Sequence, residues 1–128
     1  MTNYENYEIP AEVSRFILTS IPSIAHIEAL ILVHATAPAS WNVHALAQRL
    51  YVSETSARGV IDDLCAAGML VYDPLTRSCH YAPNALSAMI DQVAALYAAR
   101  LVEVTRLVHS RSDPQARHFA GAFTARKT

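Results

Sequence analysis

The chain has 128 residues, 52% of them hydrophobic and 16% charged, with a net charge of −1 at pH 7. That length suits one domain with a buried core, and that apolar content excludes a wholly disordered chain. No stretch reaches the ~18–20 uninterrupted apolar residues of a membrane span, and the near-neutral balance gives the whole chain no pull on polyanions.

The chain begins MTNYENYEIP. This start has neither the basic n-region nor the apolar h-region of a secretory signal, so the expected compartment is the cytoplasm and no membrane contact is expected. Cys65 and Cys79 fit a reducing compartment as small apolar residues. The charge is uneven. Residues 1–14 carry Glu5, Glu8 and Glu12, whereas residues 111–128 carry Arg111, Arg117, Arg126 and Lys127 against Asp113.

Pro10 suits a first helical turn, and Val13, Phe16 and Ile17 follow at helical spacing. Ser20-Ile21-Pro22 breaks this helix. Ser23 is placed to cap a second, in which Ile24, Ile27, Leu30 and Ile31 make a broad apolar face that ends near Ala35. Asn42 is placed to cap a third helix, with Val43, Leu46, Ala47 and Leu50 facing inward. After a tight Tyr51-Val52-Ser53 break, Ser53 caps a fourth helix, with Ala57, Val60, Ile61 and Leu64 facing inward. Gly68 ends it in a left-handed conformation. Met69–Tyr72 and Ser78–Tyr81 read as antiparallel strands joined over Asp73–Arg77.

Pro83-Asn84 opens a last helix expected to run to about Ser110. Leu86, Ile90, Val93, Tyr97, Leu101, Val104, Leu107 and Val108 form its apolar stripe. A helix of roughly 25 residues is about 38 Å long, more than so small a domain needs for its own core. Ile90, Val93, Tyr97, Leu101, Val104 and Val108 are therefore the candidates for a homodimer seam. The expected organisation is one domain over 1–128, with a core at 10–83, the long helix at 84–110 and a basic tail at 111–128.

The segment LAQRLYVSETSARGVIDDLCAAGML, with the strand pair after it, resembles the winged helix-turn-helix transcription regulators of the MarR-like and related bacterial groups, over about residues 24–82. The resemblance implies a mainly α fold with a small β-hairpin. It also implies binding to duplex DNA, with the exposed face of the fourth helix in the major groove. On that reading Glu54, Thr55, Ser56, Arg58 and Asp62 lie towards DNA, and Arg77 and Ser78 approach phosphates. Thr55, Ser56, Arg58 and Arg77 are the DNA-binding candidates. Thr55 and Ser56 serve equally well at the helix N-terminus. Residues 40–82 depart from the pattern in charge: Arg49, Arg58 and Arg77 face Glu54, Asp62, Asp63 and Asp73. An acidic reading head forfeits the phosphate neutralisation that supplies much of protein–DNA affinity. A second reading stays open, in which the same fold is a protein-protein interaction module without DNA contact, assembled through its long C-terminal helix.

Other chemistry finds no foothold. Six histidines are present, but no Cys-x-x-Cys or comparable ligand spacing, so no metal is expected. Cys79-His80 on a strand point to opposite faces. There is no phosphate-binding glycine loop and no Gly-x-Ser-x-Gly elbow, so neither a cofactor nor an enzyme is expected. Asp62-Asp63 diverge on a helix and make no paired-carboxylate site. Trp41 is expected to anchor the start of the third helix.

Overall fold

The computed structural model describes residues 9–112. Among them it forms six α-helices and a three-stranded antiparallel sheet, a mainly α-helical architecture. The chain read as one domain divides into two compact units. One comprises residues 9–24 and 92–112 of the described chain, and the other Ala25–Asp91.

In the first unit, α1 (Ala11–Ser20) starts directly after Pro10, whose carbonyl accepts from the amides of Val13 and Ser14 at 3.0 and 2.9 Å. Ile21 leaves the helix in an extended conformation, as expected of a residue that precedes proline. Val13, Ile17 and Ile21 are buried, as are Val104 and Val108 of α6 (Leu101–Ser112), which packs on α1.

The single helix expected over 84–110 is instead two, α5 (Ser87–Ala99) and α6, with Arg100 between them. Its start is delayed because Asn84 is spent on a turn of its own. The Asn84 side chain accepts from the Leu86 amide at 2.7 Å and donates to the Gly68 carbonyl at 3.0 Å. Such local bonding competes with helix. The break at Arg100 contains no Gly or Pro. The Arg100 amide still bonds Leu96, and the Arg100 carbonyl accepts the Val104 amide that opens α6. Local propensity therefore does not set the break. Packing does, because a separate α6 can bury Val104 and Val108 alongside α1.

In the second unit, α2 (Ile24–Ala35) buries Ile27, Ala29, Leu30 and Val33, and His26 with them. The next element, β1 (Trp41–Asn42), runs straight into α3 (Val43–Leu50). Asn42 caps α3 by accepting from the Ala45 amide at 2.8 Å. Tyr51 ends α3 in the left-handed region at φ 59°. The chain then needs only Val52 and Ser53 to reach α4 (Glu54–Ala66), which Ser53 caps through the Ser56 amide at 3.0 Å. Ala47 and Ala57 are buried in these two packed helices, where small side chains let the backbones approach.

Gly68 follows α4 at φ +81°, as its position at a helix end demands. The strand expected from Met69 begins only at Val71. The Met69 and Leu70 amides both turn back to the Leu64 carbonyl, at 2.9 and 3.3 Å, so these two buried residues close the helix instead. β2 (Val71–Asp73) and β3 (Ser78–His80) then pair, with Val71 opposite His80 and Asp73 opposite Ser78. β1 adds to the other side of β3, with Trp41 opposite Cys79, giving the order β1-β3-β2. Among the described residues no single helix is long and apolar enough to cross a membrane.

Candidate nucleic-acid interface

α4 presents Glu54, Thr55, Ser56, Arg58 and Asp62 to solvent, because Ala57, Val60, Ile61 and Leu64 take its inner face. Arg77 stands at the end of the β2–β3 turn with φ 56°, the left-handed step that returns the chain to β3. The turn itself is held by the Asp73 carboxylate, which accepts from the Leu75 amide at 2.9 Å. Arg58 and Arg77 line one open cleft of about 330 Å³. Asn42, Val43 and His44 from the start of α3 line it too, with Tyr72 of β2. This volume lies at the small end of the range for ligand pockets.

The sum over residues 40–82 does not say which charged groups have partners. Three of the four carboxylates in that stretch are already engaged. The Glu54 Oε2 lies 2.7 Å from His44 Nδ1, and the Asp63 Oδ2 2.8 Å from His26 Nε2. Asp73 holds its turn. Arg49 stacks over the Trp41 ring, its guanidinium carbon 5.4 Å from the centroid. Arg58 and Arg77, in contrast, make no ion pair among the described residues. The two uncommitted guanidiniums of the segment therefore share one cleft.

Of the four DNA-binding candidates, the fold brings Arg58 and Arg77 together. Thr55 is exposed on the same helix face. Ser56 serves the helix start, since its amide donates to Ser53 Oγ and its own Oγ accepts from Ser53 at 3.1 Å. Ser78, which the resemblance set towards phosphates, is instead buried and bonded to Thr76 Oγ1 at 2.7 Å. It lies in the central strand of the sheet, where Cys79 beside it is buried as well.

The dimer-seam candidates separate in a similar way. Ile90, Val93, Val104 and Val108 are at most 1% exposed within the single chain, so they belong to its own core. Tyr97 is half-buried, and Leu101 is 49% exposed beside Val102 at the start of α6. α6, set apart from α5, packs on α1, and its Val104 and Val108 are buried. The basic tail lies outside the described residues, apart from its first two positions at the end of α6.

Sequence reasoning missed the histidine–carboxylate pairs. Besides the two above, His34 Nε2 lies 2.8 Å from Asp91 Oδ1 and meets the Tyr81 ring edge-on at 4.8 Å. The three pairs join α2 to α4, α2 to α5, and α3 to α4. Their members are 37, 57 and 10 residues apart, a separation that no local motif encodes. Sequence reasoning also missed His44 and Tyr72 as cleft residues. Trp41 does anchor its segment, donating Nε1–H to Thr36 Oγ1 at 2.9 Å. Among the described residues no group of three or more His, Cys, Asp or Glu could hold a metal ion.

Cys79, at the centre of the sheet, is buried. Burial first, and then the Cys65 thiol, push its pKa from 9.0 up to about 11 against a smaller opposing backbone hydrogen bond. Below pH 9 the thiol is neutral in folded and unfolded chains alike. Above it the unfolded chain ionises first, so stability is lost as pH rises through the folded value. The expected loss from this one group is on the order of 2 kcal/mol. Urea denaturation on both sides of this window, for the wild type and Cys79→Ala, checks it: the wild type should lose more stability than the variant, by that amount.

Comparison of the chain with protein-family models, with curated proteins and with solved structures finds no match.

Proposed function

We propose that Ala25–Asp91 is a winged helix-turn-helix unit that binds duplex DNA, and that the protein acts in transcriptional control. The order of elements supports the fold assignment: two helices across a three-residue turn, then at once an antiparallel hairpin. The observation that carries the function is the convergence of Arg58 and Arg77, both without ion-pair partners among the described residues, on one cleft beside the start of α3. In this reading α4 enters the major groove by its N-terminal half. Arg58 reads a guanine edge through two parallel hydrogen bonds. Arg77 and the first residues of α3 hold a backbone phosphate, which sets register and carries no sequence information. Thr55 contacts a base or sugar.

A second reading, a protein-binding module, draws on Tyr51 and Leu75, each 93% exposed at a turn tip. Backbone amide shifts on titration with a random-sequence duplex separate the two. The DNA reading expects perturbations at residues 42–44, 54–58 and 72–77, fading as salt is added. Perturbations spread over the surface, or none at low salt, would count against it.

A further inference from the structure

One residue lining the cleft is paired with a charge that opposes the proposed ligand. Glu54 is the acidic residue in the first turn of α4, and no acidic residue stands in the first turn of α3. Glu54 reaches back across the α3–α4 turn to His44, a lining residue of the cleft. Both side chains are well exposed, at 65% for His44 and 61% for Glu54, so the contact is made within reach of solvent and of any bound polyanion. The Nε2 edge of His44 makes no hydrogen bond among the described residues. The result is a carboxylate bonded to one lining residue of a cleft that also carries two guanidiniums.

We infer that Glu54, held by His44, attenuates the cleft's hold on the DNA backbone. The inference rests on the DNA-binding reading above and adds a residue to it. A carboxylate near a phosphate repels it whatever the base sequence. It therefore lowers affinity for all duplexes and leaves discrimination to the base-reading face of α4. His44 has two parts in this. Its Nδ1 edge fixes the carboxylate, and its Nε2 edge is left for the cleft.

Glu54→Gln tests this cleanly, because the amide oxygen can still accept from His44 Nδ1 while the charge is gone. The probe is a labelled random-sequence duplex, titrated by fluorescence anisotropy at several salt concentrations. Glu54→Gln should bind roughly threefold to tenfold more tightly than wild type at low salt, with the gain shrinking as salt screens the charge. His44→Gln, which loses the imidazole, should bind more weakly than wild type. A purely structural role for Glu54 predicts the opposite sign, since removing an acid from a first turn weakens the helix. Wild-type binding with Glu54→Gln unchanged or weaker would overturn the inference and leave the DNA reading standing. No binding by either chain would overturn both.

Discussion

Replacing Arg58 and Arg77 together with Ala is expected to lower affinity for a preferred duplex by about 2–4 kcal/mol. Fold stability should change by less than about 0.5 kcal/mol per site, because both side chains are exposed and neither is in an ion pair among the described residues. The single variants should differ in kind. Arg77→Ala should weaken all duplexes alike and reduce the salt slope by about one, the signature of a lost phosphate contact. Arg58→Ala should relax preference at one base pair, because a bidentate guanine contact carries about 1–3 kcal/mol of discrimination. Anisotropy titrations on matched and scrambled duplexes, with thermal melts alongside, check both halves. Loss of affinity accompanied by loss of stability would mean that the arginines hold the fold rather than the ligand.

Leu64→Ala should damage the second unit severely, at about 2–5 kcal/mol. Leu64 is 1% exposed on the inner face of α4, and its carbonyl accepts the Met69 and Leu70 amides that close the helix. The backbone bonds survive truncation, but the side-chain volume does not, and a cavity in a packed core is only partly refilled. Against a typical total of about 5–15 kcal/mol, such a loss brings the unit near unfolding. Urea denaturation followed by circular dichroism measures it. A loss below about 1 kcal/mol would contradict the packing of α4 described above.

What the sequence made legible was local. Asn42, Ser53 and Gly68 each sit where a helix must start or stop, and each does there what its chemistry favours. The inner stripes of α3 and α4 follow from helical periodicity, and Ala47 and Ala57 mark where the helices approach. The non-local features were hidden. β1 is two residues long, too short for any alternation to be read, and exists only because β3 offers it an edge. The break at Arg100 lies among good helix formers, so only the packing of α6 beside α1 reveals it. Arg58 and Arg77 could be named singly from the sequence. Their shared cleft, with His44 and Tyr72, depends on how the hairpin folds back. The net charge of residues 40–82 is equally silent on arrangement. A sum over sequence cannot tell that Glu54, Asp63 and Asp73 each accept a hydrogen bond, while two guanidiniums have no carboxylate partner among the described residues.

Binding of the full chain to a random-sequence duplex, measured across a salt series, tests the central claim most directly. The account predicts measurable binding at low salt. Its log affinity should fall linearly with log salt, with a slope that shrinks when Arg77 is replaced by Ala. Absence of binding at the lowest salt, or binding indifferent to salt, would contradict phosphate recognition by this cleft.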